Sequence, residues 1–220
     1  MTSEKAEPPR LTRKQRQEHT RKCLLESAGR VFARRGLTQA SVDEVAADAG
    51  FTKGAVYANF GSKEELFLEM LDVRFARRLA DMERAMSTGE PPEVQARAAG
   101  RDFIDFLSSD PDWRRLFIEA ALHASRDAAF RVRLQEHYAA MRSRMADLLR
   151  ARSEAGGFDP GVPFDQLATM IFAMANGVAF ERLVDPESVP DDLFSGMLEL
   201  FTLGAARTGT AATVIRMTND

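Results

Sequence analysis

The sequence has one cysteine among 220 residues, so no intrachain disulfide framework can hold it together. A lone thiol suits a reducing compartment, and the expected location is the bacterial cytoplasm. The longest uncharged apolar run, Leu167–Phe180, is too short to span a bilayer. The N-terminus is polar and lacks the apolar core of a signal peptide. No membrane partner is therefore expected. There is no P-loop, no dinucleotide-binding glycine run and no Gly-x-Ser-x-Gly elbow. His123 and His137 are too isolated to make a metal site. Neither an enzyme nor a bound cofactor is expected. β-Branched residues are sparse, with only four Ile, and no strand-like alternation stands out. What remains is rich in Ala, Leu, Arg, Glu and Met, which favour helix.

The net charge of −3 hides a partition. Residues 1–62 hold eleven Lys/Arg against seven Asp/Glu, net +4, and the rest holds nineteen against twenty-six, net −7. A polyanion responds to the local field of one face, so a basic head on an acidic body is compatible with nucleic acid. A solvated basic tail has the same charge signature.

Helix starts are well marked. Thr12-x-x-Gln15 predicts a capped first helix that Gly36 stops near Arg35, with Leu24, Ala28, Val31 and Phe32 as its buried stripe. Ser41-x-x-Glu44 predicts a short second helix ended by Gly50. Thr52 caps a short third helix, and Ser62-x-x-Glu65 opens a long fourth from Lys63 to about Met86. Gly89–Pro92 breaks the chain. Helices then follow near 93–109, 112–125, 128–155, 164–183 and 191–206, with a Gly/Pro loop at 156–163. The fold class is all-α with about nine helices. Residues 1–62 form a head, 63–206 a helical body and 207–220 a tail.

Val42–Tyr57 is the most informative stretch. Two short helices meet at Gly50, where a residue free to take positive φ is needed. Ala46 lies four residues before the glycine and Val56 six after it. A small side chain at the crossing and a branched one to close the core are what a helix-turn-helix requires. Val42, Val45 and Ala49 add to that core. On the second helix, Gly54 and Ala55 let the backbone approach base edges, and Ala55 can meet a thymine methyl. Lys53 can reach a guanine edge or a phosphate, and the spacing does not choose between them. Tyr57 carries a hydroxyl suited to a phosphate. Ser41, Thr52 and Lys63 stand at helix N-termini, where the backbone also favours an anion.

This run resembles the TetR family of bacterial transcriptional regulators. The matching residues are Leu24–Phe32, Gly36, Ala40–Gly50, and Phe51-Thr52-Lys53-Gly54-Ala55-Val56-Tyr57-Ala58-Asn59-Phe60-Gly61-Ser62-Lys63-Glu64-Glu65-Leu66-Phe67. They cover about a quarter of the chain. Phe51 stands where the family usually has Val or Ile, and Asn59 where it often has His. The resemblance implies a DNA-binding head with Thr52–Asn59 as the major-groove helix. It also implies a homodimer joined through the last two long helices, a palindromic double-stranded operator and, in most members, release by a small molecule.

In the body, Phe103, Phe106, Trp113, Phe117, Met141, Met145, Phe172 and Met174 are the candidates for an adaptable apolar pocket, although for any single one of them an ordinary core residue is the favoured reading. Two-fold DNA reading asks for a dimer. Its expected face is Leu167, Met170, Ile171, Val178, Leu193, Met197, Leu200 and Phe201, with Phe180 and Arg182 at the rim. The expected function is a sequence-specific DNA-binding regulator, most simply a repressor whose operator affinity falls when a small apolar or aromatic ligand binds. A ligand-independent regulator, an activator, or a helical interaction module without DNA binding are the alternatives.

Overall fold

The computed structural model describes residues 12–85, 90–109, 111–156 and 159–201; the side chain of Trp113 and the tail at 207–220 lie outside the described residues. All regular structure among them is helical. The helices are α1 (Arg13–Gln39), α2 (Val42–Ala49), α3 (Lys53–Tyr57), α4 (Lys63–Ala85), α5 (Pro92–Ser109), α6 (Pro111–Arg126), α7 (Ala128–Gly156) and α8 (Phe164–Val184). A last helical stretch covers 193–201. The chain divides into two compact units, one ending at Met70 and the other beginning at Leu71.

The first unit is built on local rules. The Thr12 hydroxyl accepts from Gln15 N at 3.2 Å, and the Gln15 amide accepts from Thr12 N at 2.8 Å, a reciprocal cap. Gly36 interrupts α1 with φ 74° and ψ 171°, where the stop was expected; the chain then makes one more helical turn to Gln39. The stripe Leu24, Ala28, Val31 and Phe32 is fully buried. Ser41 and Glu44 cap α2 reciprocally, and Gly50 ends it in the left-handed conformation at φ 73°. Ala46 and Val56 are both buried beneath the α2–α3 corner with Val42, Val45 and Phe60. Ala49 and Phe51 are only half-buried, so Phe51 does not fill the corner as a core residue would. The first turns of α4 close this core. Leu66, Phe67 and Met70 are buried, and Phe67 meets Phe32 edge-on with centroids 5.1 Å apart. This packing carries the first unit past the boundary expected at residue 62.

The second unit holds two apolar clusters. One gathers Ile104 and Leu107 of α5, Val178 of α8, Val189, and Phe194 and Leu198 of the last stretch. The other gathers Met145, Ala146 and Ala168, with Leu79, Met82, Leu149, Phe164 and Phe172 packed against it. The crossing of α5 with 193–201 is very close: a Cβ on Gly100 would lie 2.5 Å from Ser195 Cα. Arg182 is buried, not at a rim. It donates to Ser108 Oγ at 3.1 Å and Val189 O at 3.3 Å and pairs with Asp191, tying α8 to α5 and to the connection that follows.

α8 is apolar on every side, and this changes the reading of its length. An 18-residue window within Phe164–Val184 has mean hydropathy 1.4. By length and composition alone this helix is long and apolar enough to cross a membrane; the uncharged run understated it. Its inner face, Leu167, Ala168, Val178 and Arg182, is buried in the chain. Met170, Ala173, Gly177, Phe180 and Val184 are exposed and follow each other at helical spacing.

Candidate nucleic-acid interface

α3 presents one buried and one open side. Val56 anchors it in the core, while Thr52, Lys53, Gly54 and Tyr57 are exposed. The Thr52 hydroxyl accepts from Ala55 N at 3.2 Å and fixes the N-terminus. A Cβ on Gly54 would meet only Thr52 Oγ1, at 3.7 Å, so the fold tolerates a side chain there. What the glycine supplies is a bare helix surface. Tyr57 is 51% exposed, unusual for a large ring.

A shallow groove beside α3 is lined by Ser41, Asp43, Lys53, Tyr57, Ser62 and Lys63, among others. It draws together six residues from four segments of the head. Lys63 reaches back to donate to Thr38 O at 3.3 Å and Ala40 O at 3.0 Å. An ammonium has three N–H donors, so one remains for an anion at the rim. Lys53 pairs with Asp43 at 2.8 Å, and that hydrogen bond raises the lysine's pKa above its usual value. Lys53 therefore stays charged and is held toward α2.

Two other expected contacts are engaged inside the chain. The Ser41 hydroxyl is occupied with Glu44, which it caps. The Asn59 amide donates to Ala55 O at 2.8 Å, closing the end of α3, while its Oδ1 is buried without a partner. Arg21, which sequence reasoning missed, donates to Asn59 O at 2.7 Å, pairs with Glu69 and lies 4.4 Å over the Phe60 ring. Its partners are 38 and 48 residues away, so no local pattern marks it.

α1 and α2 are locked by a second network. Ser27 is fully buried, with Oγ 3.0 Å from Val45 O and 2.8 Å from Asp48 Oδ2. Arg30 and Arg34 approach Asp48 at 2.6 and 3.0 Å. The Ser27 hydrogen bond first, then the guanidinium groups, hold the Asp48 carboxyl down at about 2. Arg35 pairs with Glu44 at 3.2 Å. Part of the head's positive charge is thus matched within the fold.

In the second unit the expected pocket residues fall into two groups. Phe103, Phe106 and Met174 pack on the α5–α8 cluster, with Phe103 4.6 Å from Phe194. Phe117, Tyr138, Phe172 and Phe75 form a chain of rings at 5.3 to 5.7 Å, and Asn176 donates to the Tyr138 hydroxyl at 2.7 Å. Met145 belongs to the second apolar cluster and Met141 is buried. Of the expected dimer residues, Leu167 and Val178 are buried within one chain, and Ile171 and Met197 pack on its core. Phe201 is half-buried. Met170, Leu193 and Leu200 are exposed, at 38%, 40% and 71%. No group of three or more His, Cys, Asp or Glu that could hold a metal occurs among the described residues.

The profile of bacterial regulatory proteins of the tetR family matches residues 24–70, and that of BetI-type transcriptional repressors, C-terminal part, matches 92–201. The chain is 30% identical over 160 residues to the HTH-type transcriptional repressor SCO4008 of Streptomyces coelicolor, covering 72% of this chain and 78% of that one. It is 36% identical over 96 residues to the transcriptional activator FasR of Mycolicibacterium smegmatis, 44% of each chain. The fold matches that of FadR from Bacillus subtilis, crystallised with stearoyl-CoA, at TM-score 0.63 and 17% identity, over 82% of this chain and 97% of that one. With its helix-turn-helix head and a body matched over residues 92–201, the chain belongs to the TetR family of transcriptional regulators, DNA-binding proteins and not enzymes.

Proposed function

We propose that this regulator is a cytoplasmic homodimer that binds a palindromic operator and represses transcription until a small apolar or aromatic molecule binds the body. The observation that carries the DNA reading is the groove beside α3, where exposed Tyr57, Lys53 and the free N–H of Lys63 converge. Lys63 and Tyr57 contact phosphates. Thr52, Lys53, Gly54 and Ala55 face base edges, with Ser41 and Asn59 holding the two ends of the unit in place. A pair of such short helices, one helical turn of DNA apart, doubles what one can read.

The dimer forms through the exposed side of α8, Met170, Ala173, Gly177, Phe180 and Val184, with Leu193 and Leu200. The support is a stripe of uncovered apolar surface at helical spacing, with Gly177 open enough for close approach. α4, which contributes residues to both units, transmits the ligand's effect to the head. The sign of regulation is supported by the repressor SCO4008, matched over 72% of this chain, where the activator FasR is matched over 44%.

Selection of bound duplexes from a random pool should enrich an inverted repeat. Tyr57→Ala should then weaken binding to it by about 10-fold or more, with dimer mass and unfolding midpoint unchanged. Unaltered affinity in Tyr57→Ala, or no enriched sequence, would remove the reading.

A further inference from the structure

Arg78 is an unusual residue for the inside of a helical body. It lies on α4, one residue before Leu79 and four before Met82, both packed on the second apolar cluster. Only 9% of it is exposed. Its Nη1 donates to Asp102 Oδ2 at 2.5 Å, and Phe106, one turn further along α5, places its ring 5.1 Å from the guanidinium carbon. Phe106 in turn packs on the first cluster. The cation therefore stands at the junction of the two apolar clusters of the body.

The pairing is one-sided. Nε and Nη2 are both buried and have no hydrogen-bond partner. These two nitrogens form one edge of the guanidinium, the edge whose parallel N–H bonds match the two oxygens of a carboxylate. Arginine does not lose its proton, so burial cannot be relieved by neutralisation. A buried donor left without an acceptor is destabilising, and more so when charged. Asp102 satisfies the other edge and is itself partly open, with 39% of its side chain exposed. The free edge has two N–H donors to offer one more anion, with the Phe106 ring as an apolar wall beside it.

We infer that the effector is an apolar carboxylic acid, its carboxylate held bidentate by Nε and Nη2 of Arg78 and its hydrocarbon body lying against Phe106 and the adjoining clusters. This rests on the ligand-responsive reading above and specifies it: an anionic head on an aromatic or alkyl body, and not a neutral apolar molecule or a cation.

The test uses the full-length protein with decanoate and 2-naphthoate, each compared with its primary amide, by isothermal titration and by release from the selected duplex. The acids should bind at least about 30-fold more tightly than the amides, the scale of a charge-assisted bidentate pair in a dry site. Arg78→Met should erase that preference to within about threefold, and Arg78→Lys should restore part of it. Should Arg78→Met not fold, Asp102→Asn remains informative. It leaves the guanidinium with no internal anion, so acid binding should tighten while amide binding stays unchanged. Equal binding of acid and amide, no binding of either, or an acid preference that survives Arg78→Met would overturn the inference. The two readings separate cleanly. Amides that bind and release DNA as well as the acids sink this inference and leave ligand-responsive repression standing. Acids that bind through Arg78 without releasing DNA do the reverse.

Discussion

Ser27 offers a direct measure of how firmly α1 holds α2. The perturbation is Ser27→Ala, which fits the site without new bulk and removes one hydroxyl. That hydroxyl has a single hydrogen, shared between Val45 O at 3.0 Å and the Asp48 carboxylate at 2.8 Å. A hydrogen bond to a charged acceptor is worth about 1.5–3 kcal/mol. The depression of the Asp48 carboxyl from 3.8 to about 2 corresponds to about 2 kcal/mol shared among Ser27, Arg34 and Arg30. Both arginines are more than half exposed, at 54% and 58%, and the carboxylate lies at the surface edge, so screening lowers that sum. Ser27→Ala should therefore cost about 1–2 kcal/mol, and Asp48→Asn about 1 kcal/mol. In a double-mutant cycle the two should couple by about 1 kcal/mol, since each removes the same bond.

The pH dependence has a fixed sign. A carboxyl held below its unfolded value stabilises the fold fully above about pH 4, and the contribution disappears as pH falls through about 2. The gap between wild type and Asp48→Asn should thus be complete at neutral pH and close in that acid window. Urea unfolding at one fixed chain concentration reads the totals. Hydrogen exchange at the α2 amides reads the local opening, which should quicken by about 10-fold in Ser27→Ala. A stability change under about 0.3 kcal/mol in Ser27→Ala, or a wild-type-to-Asp48→Asn gap that does not move with pH, would refute the account.

Two further outcomes follow from packing. Gly100→Ala should destabilise the body by about 2 kcal/mol or more, because the new methyl would sit 2.5 Å from Ser195 Cα, a backbone atom; a calorimetric midpoint within a degree of wild type would contradict it. Phe180→Glu combined with Val184→Glu puts charge on side chains that are 51% and 66% exposed in one chain, so sedimentation should show monomers while helix content is retained; a persistent dimer would move the interface elsewhere.

The head was legible in the sequence because its determinants are local. A cap and its partner lie three residues apart, as at Thr12 and Gln15 or Ser41 and Glu44, and a helix stop is a glycine, as at Gly36 and Gly50. At the start of α4 the Ser62 hydroxyl accepts from Glu65 N, as the spacing predicts, and the Glu65 carboxylate also accepts from Gly61 N. What sequence could not show depends on distant partners. Lys63 meets carbonyls 23 and 25 residues away, and Asn59 turns inward under Arg21. The face of α8 was illegible for another reason. A helix apolar on every side has no periodic contrast, so residues of the inner and outer faces were drawn into one expected set. Arg78 and Arg182 were hidden by type, since arginine in a helix ordinarily signals water.

The uncovered stripe on α8 has a consequence for gene dosage. If two chains must meet along it before either reads DNA well, the active species grows with the square of chain concentration at low abundance. Operator occupancy would then respond to a halving of expression by more than half. A regulator of this build would switch over a narrower range of its own synthesis than a monomer with the same reading helix, before any effector is present.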